Sequence, residues 1–201
     1  MGLDLVLLGP PGSGKGTQAA RLAAKYQIPA IATGDILRAQ VDAGNPLGRR
    51  VRSYLNRGEL VPDQLVVDII RHRLNEPDTE AGFILDGFPR TVPQAQALDA
   101  MLAELQRPLD AVLYLQVDRQ VLQDRLGQRH RQDDRPDIVD HRIDVFLDQT
   151  APLIDYYRDH GQLRLINGAD PPDRVTAAID EVIRSLLAPS GGGTNPSRTG
   201  N

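Results

Sequence analysis

The amino-acid sequence predicts an α/β fold: a five-stranded, parallel, doubly wound sheet. Five short apolar runs alternate with segments whose apolar residues recur at helical spacing, which is typical of parallel strands joined by helices. A chain of 201 residues is long enough for one such domain. Ligands of these sheets bind at the carboxyl ends of the strands, so candidate functional residues are sought there. The runs lie at residues 5–8, 28–32, 83–86, 111–115 and 163–166.

The loop after the first apolar run carries the clearest functional signal. It reads Gly9-Pro10-Pro11-Gly12-Ser13-Gly14-Lys15-Gly16-Thr17, and a helical pattern follows at once. Glycines let consecutive backbone N–H groups face one concave nest that binds phosphate, and Lys15 can reach the β- and γ-phosphates of a nucleotide. Only Lys15 and Lys25 are lysines among the 23 Lys and Arg residues, so a lysine in this loop is informative. The pattern predicts a phosphate-binding loop, or P-loop.

The residue after Lys15 departs from the usual P-loop pattern. Ser or Thr normally stands there and binds Mg²⁺ through its hydroxyl, but here the position is Gly16 and the hydroxyl follows at Thr17. Asp86, at the end of the third apolar run, is expected to orient the water shell of the metal. We therefore expect Mg²⁺ that arrives with the nucleotide and keeps most of its water ligands, with no direct protein ligand.

Two short helices are predicted between the second and third strands, where one would suffice. Asp35 can cap a helix from Ile36, and Asn45-Pro46 ends that helix. A second helix follows and ends at Gly58. The pair predicts a small helical flap over residues 32–61.

The second half of the chain contains a polar loop, a kinked helix and a polar tail. Residues 128–134 are too polar to be buried and predict a short surface loop, whereas Pro152 predicts a kink in a helix. From residue 188 onward Gly, Ser, Pro and Thr predominate, which predicts a disordered tail. We expect one domain over residues 1–187 and a tail over 188–201.

Composition limits the classes of function. The net charge is −4 and no run of Lys or Arg is present, so nucleic acid is not expected as a partner. The chain has no Cys, which excludes disulfides and thiolate metal sites, and its four histidines are scattered. No stretch approaches the ~20 apolar residues of a membrane span, and no signal peptide is recognised. We expect a cytoplasmic protein that does not bind membranes.

Four motifs together resemble the adenylate kinase family. They are the P-loop, Thr33-Gly34-Asp35-Ile36-Leu37-Arg38, Asp86-Gly87-Phe88-Pro89-Arg90, and Arg131-Gln132-Asp133-Asp134 followed by Arg142. The resemblance covers residues 3–187 in order. It implies reversible transfer of the γ-phosphoryl group of MgATP to AMP, giving two ADP, and thereby a role in adenine nucleotide balance. It also implies a monomer whose partners are ATP, AMP and ADP.

The resemblance assigns a role to each matching residue. The implied catalytic residues are Lys15, Arg90, Arg129, Arg131 and Arg142. The implied ATP-binding residues are Gly12, Ser13, Gly14, Lys15, Gly16, Thr17, Arg125, Arg129 and Gly168. The implied AMP-binding residues are Thr33, Arg38, Glu59, Leu60, Val61, Gly87, Phe88, Pro89, Arg90, Gln94, Arg131 and Arg142. Residues 128–134 would form a short lid, too short to hold a structural zinc site.

Arginine suits this chemistry. The second pKa of a phosphate monoester is about 6, so the attacking phosphate of AMP is already anionic and needs no general base. What the reaction needs is neutralisation and positioning of several phosphates, and guanidinium groups bind phosphate oxygens bidentately. Arg135 adds a further cation beside the lid, so either Arg131 or Arg135 can fill the lid role.

Two alternatives stay open at the level of sequence. One is a UMP/CMP-type nucleoside monophosphate kinase, although Thr33 and Gln94 look like the adenine-selective form. The other is a non-catalytic nucleotide-binding switch. Guanine-specific switches carry Asn-Lys-x-Asp, and no Asn in this chain is followed by Lys.

Overall fold

A computed structural model describes residues 2–127 and 136–188 of the chain. Within these residues, five strands form one sheet in the order β2-β3-β1-β4-β5, and all paired strands are parallel. The predicted α/β, doubly wound architecture is confirmed. The strands are β1 (Leu3–Leu8), β2 (Ala30–Ala32), β3 (Gly82–Asp86), β4 (Ala111–Gln116) and β5 (Leu163–Asn167).

Helices cover both faces of the sheet. Helices α2, α3 and α4 all lie between β2 and β3, so the inserted region is larger than a single crossover helix. A short 3₁₀ turn at Pro77–Thr79 leads into β3. The helices are α1 (Lys15–Tyr26), α2 (Thr33–Asp42), α3 (Pro46–Arg57), α4 (Asp63–Leu74), α5 (Val92–Glu104), α6 (Arg119–Gly127), α7 (Pro136–Val145), α8 (Pro152–Asp159) and α9 (Pro172–Leu187).

The central strand β1 is buried along its whole length and divides the core into two layers. Its alternate side chains face opposite sides because side chains along a strand have a period of two. Leu5 and Leu7 pack with α1 and α9, whereas Val6 and Leu8 pack with α4, α5 and α8. The P-loop therefore leaves a strand that is held from both sides.

One charged residue interrupts this apolar strand. Asp4 has a side chain only 3% exposed, and Arg107 binds it with Nη2 at 2.5 Å from Oδ1 and Nε at 3.0 Å from Oδ2. Burial raises the pKa of Asp4 above its ordinary value, although Arg107 acts in the opposite direction. The two hydrogen bonds from the Arg107 guanidinium offset the free-energy cost of burying the Asp4 carboxylate.

The flap begins differently from the sequence-based expectation. We expected Asp35 to cap a helix from Ile36, but α2 starts at Thr33 directly after β2, and Ala32 takes the cap position without a side-chain bond. Asp35 instead lies in the first turn, where a carboxylate is favoured by the helix dipole, and accepts a bond from Arg38 at 2.5 Å. The strand β2 is also shorter than expected, since Ile28 is buried but outside the ladder.

Other helix boundaries follow their sequence signals. The Asn45 side chain accepts from the backbone N–H of Gly48 at 2.7 Å and so caps α3, whereas α2 already ends at Asp42. Gly58 ends α3 in the left-handed conformation with φ 72°. Near Pro152, where the sequence predicts a kink, a π-helical turn over Phe146–Thr150 separates α7 from α8, which begins at Pro152.

Candidate functional site

The P-loop joins β1 to α1 at the carboxyl edge of the sheet. Gly12 and Gly14 have φ values of 82° and 98°, which glycine adopts readily. A Cβ on Gly12 would lie 2.9 Å from Cγ of Leu126, so α6 packs too closely for a larger residue. The Lys15 ammonium donates to the backbone carbonyls of Gly9 at 2.8 Å and Pro10 at 3.0 Å. The start of the loop thus binds the Lys15 ammonium group through two backbone carbonyls.

A cleft of about 800 Å³ extends from this loop along the carboxyl edge of the sheet. It is lined by most of the predicted phosphate-binding groups, contributed by elements that are distant in sequence. Its cationic side chains converge on one space, which suits a polyphosphate. The lining includes the predicted site residues Gly12, Ser13, Gly14, Lys15, Gly16, Thr17, Arg38, Asp86, Gly87, Arg90, Arg125, Arg142 and Gly168.

Asp86 lies beside the start of α1. The residue pairs with Leu7 across β3 and β1, and its Oδ2 lies 3.6 Å from the position of a Cβ built on Gly16. Thr17 is exposed in the same cleft. One carboxylate and one hydroxyl suit a cation held mostly by water and phosphate oxygens. In the described part of the chain, no group of three or more His, Cys, Asp or Glu residues could hold a metal by itself.

Arg125 and Gly168 form one end of the cleft. The Arg125 guanidinium donates to the carbonyls of Gly168 at 2.8 Å and Ala169 at 3.1 Å. The N–H of Gly168 donates to the Gln116 carbonyl at 2.9 Å, so both backbone polar groups of Gly168 have partners within the protein. A Cβ on Gly168 would lie 2.7 Å from Val117 Cγ2, so a larger residue does not fit. The structure brings together two of the residues that the resemblance assigns to ATP binding.

A second pocket lies between the flap and the N-terminal end of α5. The Thr33 hydroxyl is buried there, and it has no hydrogen-bond partner among the described residues. A buried hydroxyl without a partner is costly, which favours a ligand group opposite it. This pocket holds most of the predicted AMP-binding residues: Thr33, Arg38, Glu59, Leu60, Val61, Gly87, Arg90, Gln94 and Arg142.

Two other predicted AMP-binding residues occupy different surroundings. Phe88 is fully buried in the core with α4 and α5, and it lines neither the cleft nor the second pocket. Pro89 lines a small adjoining cavity beside Lys15. The Glu59 carboxylate is bound by Arg57 at 2.8 Å through both oxygens, which lowers the pKa of Glu59. The backbone of Glu59 is therefore the part left to face the pocket.

Arg90 and Arg142 approach the same space from opposite sides. Arg90 follows β3, and its Nε donates to the Gly87 carbonyl at 2.9 Å. Arg142 comes from α7, and a Cβ built on Gly58 would lie 2.8 Å from its Cγ. The end of the flap thus touches α7 directly. Arg142 lines the cleft and both smaller cavities.

Sequence reasoning missed a polar network below the second pocket. Gln94 was assigned only to the base, yet its Oε1 accepts from the backbone N–H of Arg90 at 2.8 Å and its Nε2 donates to Asp63 at 2.7 Å. Thr91 caps α5 and also donates to Asp63 at 2.9 Å. The pattern Thr91-x-x-Gln94 before an apolar helix is a capping-box signal that could have indicated a structural role for the amide.

The predicted lid lies outside the described residues. Arg129, Arg131 and Arg135, together with the whole of 128–134, belong to that part of the chain, as does the predicted tail beyond residue 188. Their assigned roles stay predictions.

The phosphate-binding loop, the flap inserted after β2 and the arginines between them define a P-loop nucleoside monophosphate kinase. The family model described as adenylate kinase matches residues 7–162. The chain belongs to the adenylate kinase family.

Curated relatives agree with this assignment over nearly the full chain. An adenylate kinase from Methylorubrum populi is 49% identical over 187 residues, which cover 88% of this chain and 94% of the relative. One from Methylobacterium nodulans is 47% identical over 194 residues, with 92% and 98% covered. One from Methanosarcina acetivorans is 44% identical over 216 residues, with 92% and 97% covered.

Proposed function

We propose that this chain transfers the γ-phosphoryl group of ATP to AMP, giving two ADP in a reversible reaction. The observation that carries the proposal is a pair of adjoining spaces that share the arginines Arg90 and Arg142. One is the cleft beside the P-loop and Lys15, and the other contains the buried Thr33 hydroxyl, which has no hydrogen-bond partner among the described residues. Family membership supports the same activity.

The reaction needs charge neutralisation more than proton transfer. A phosphate oxygen of AMP attacks the γ-phosphorus, a new P–O bond forms, and the bond to the β-phosphate oxygen breaks as ADP leaves. The attacking oxygen is already anionic, so the proposal requires no side chain as a base. Arg38 and Arg90 hold the AMP phosphate in line, while Lys15 and Arg142 stabilise charge on the transferring group.

Mg²⁺ would enter this site on the nucleotide. Asp86 would bind water ligands of the metal, and Thr17 offers a hydroxyl one residue after the usual position. When bound, the metal supplies charge neutralisation at the β- and γ-phosphates. The donor set fits this use, because one carboxylate beside the P-loop leaves room for water and phosphate ligands.

The flap over 32–61 and the lid over 128–134 would exclude water from the reacting phosphates. Water exclusion matters because an exposed γ-phosphate could be lost to hydrolysis. The contact of Gly58 with Arg142 supports coupling between the flap and the helix that follows the lid. The lid would carry Arg129 and Arg131 toward ATP, and we propose no zinc site in it.

We further infer a cytoplasmic monomer. Both proposed nucleotide spaces are lined by one chain, so the site needs no residue from a second copy. Within the described ranges, no helix is long and apolar enough to cross a membrane.

The test is a substrate panel. Protein is mixed with MgATP and with AMP, UMP, CMP or GMP in turn, and diphosphates are separated and quantified. AMP should give the highest kcat/KM, because a pocket built from hydrogen-bonding groups rejects a base that leaves them unpaired. Comparable values for UMP or CMP would favour the pyrimidine-specific alternative, and no turnover at all would favour the binding switch.

A further inference from the structure

We propose that Asp63 positions the amide of Gln94 in one orientation, and that this orientation selects 6-aminopurine over 6-oxopurine monophosphates. Asp63 is a positioning residue here, since it acts on the base through Gln94. The inference rests on the proposed AMP site between the flap and α5.

The Gln94 amide is held at both of its polar atoms. Its oxygen accepts from the backbone N–H of Arg90 at 2.8 Å, and its nitrogen donates to Asp63 Oδ1 at 2.7 Å. The second oxygen of Asp63 accepts from the Thr91 hydroxyl at 2.9 Å. Gln94 is 2% exposed, so water does not replace these partners.

These partners allow only one arrangement of the amide. A backbone N–H can only donate and a carboxylate can only accept. Rotation of the amide by half a turn would place its NH₂ against the Arg90 N–H and its oxygen against the Asp63 carboxylate. Both contacts would become repulsive in a buried site, where unpaired polar groups are costly. Asp63, together with the Arg90 N–H, therefore specifies which atom of Gln94 is the donor on the Asp63 side.

A fixed amide distinguishes the two classes of purine. After the contacts above, Gln94 retains one N–H and one oxygen lone pair for the pocket that it lines with Thr33 and Arg38. The pairing edge of a 6-aminopurine presents a ring-nitrogen acceptor beside an amino donor, and a 6-oxopurine presents the reverse. An amide that cannot rotate complements the first and opposes the second.

The position of Asp63 in the fold explains why the orientation of the Gln94 amide is fixed. Asp63 begins α4, directly after the connector that ends the flap, whereas Gln94 lies in the first turn of α5. Helices α4 and α5 pack against each other through the core. The carboxylate is thus held by a rigid seam between two helices.

The decisive experiment replaces the acceptor-only carboxylate with a group that can also donate. The variants are Asp63→Asn and Asp63→Ser. The matched control is Asp68→Asn, because exposed Asp68 also accepts from a glutamine amide, that of Gln64 at 2.7 Å, on the same helix. For each, kcat/KM is measured for AMP and IMP with saturating MgATP, together with the KM for MgATP and the thermal midpoint.

We expect the AMP-to-IMP ratio of kcat/KM to fall roughly 10-fold or more in both Asp63 variants, the scale of one base-reading contact. The KM for MgATP should stay within about twofold, and Asp68→Asn should match the wild type. An equal loss for AMP and IMP, or an unchanged ratio, overturns the proposal. If circular dichroism shows that either Asp63 variant is folded, the AMP-to-IMP ratio of kcat/KM in that variant decides whether the proposal holds. Failure of the wild-type protein to phosphorylate AMP would instead overturn the proposed function.

Discussion

Lys15→Arg tests whether the P-loop cradles the reacting phosphates. The Lys15 ammonium lies 2.8 Å and 3.0 Å from two carbonyls of a tight loop. A guanidinium is planar and broader than an ammonium, so it cannot occupy this point and present the same compact charge to a phosphate. The substitution keeps the positive charge, and the residue lies at the start of α1 rather than in the core. We therefore expect a loss of positioning without a loss of folding.

The expected effect on rate follows from the role of the ammonium. Removal of one preorganised donor from a developing charge costs on the order of 10²–10³-fold in kcat. Here one substitution both displaces the charge and disturbs two loop carbonyls, so we expect about 10³-fold, or ~4 kcal/mol of transition-state stabilisation. The free energy of unfolding should change by less than about 1 kcal/mol.

The assay couples ADP formation to a spectroscopic signal at saturating MgATP and AMP, with urea unfolding as the measure of stability. Arg38→Lys is the matched control, since it also exchanges two cationic side chains in the same cleft. In the proposed site Arg38 would hold the acceptor before and during transfer, so this control should raise the KM for AMP and leave kcat within about tenfold. Near-wild-type kcat in Lys15→Arg would refute the proposed role of the loop.

Three further predictions address the scaffold and the lid. Arg107→Met should destabilise the fold by about 3–5 kcal/mol at pH 7, because it leaves the buried Asp4 carboxylate without its partner. Burial raises the pKa of Asp4 in the folded state, so ionisation of this carboxyl disfavours folding. The difference in urea midpoint between Arg107→Met and the wild type should therefore become smaller as the pH falls from 7 towards 4. Gly58→Ala should lower kcat/KM for AMP about tenfold by displacing Arg142. Gly44→Ala is its control, with similar φ and open space around the Cβ, and equal losses in both would contradict the contact. A chelator should leave the thermal midpoint of the purified protein unchanged, and a lowered midpoint or stoichiometric zinc in that protein would contradict a lid without metal.

The sheet was predictable from sequence because its signals are local and strong. Apolar runs bounded by Gly, Pro and Asp mark strands regardless of their neighbours. Boundaries within the flap were less predictable. Asp35 suits both a cap and a first helical turn, and only its bond to Arg38 settles the choice. Likewise, Ile28 is apolar and buried, yet the ladder excludes it because pairing depends on the neighbouring strand.

The side-chain contacts in the second pocket could not be predicted from the sequence. Gln94 was recognised as a candidate base contact, but its partner Asp63 is 31 residues away and reaches it only through the packing of α4 on α5. No periodicity links these two positions. The Thr33 hydroxyl was likewise a candidate, but only the structure shows that it is buried and unpartnered among the described residues.

Phosphate positioning and base selection depend on different parts of this fold. Lys15 lies after the loop that follows β1, and Asp86 is the last residue of β3. The two strands pair directly, with Leu7 opposite Asp86, so the ladder sets the separation of these groups. Base selection depends instead on the α4–α5 seam, through Gln94. A change in that seam can alter the preferred monophosphate without moving the P-loop. For this reason the Asp63 variants should change the AMP-to-IMP ratio, whereas Lys15→Arg should lower turnover of both substrates by the same factor.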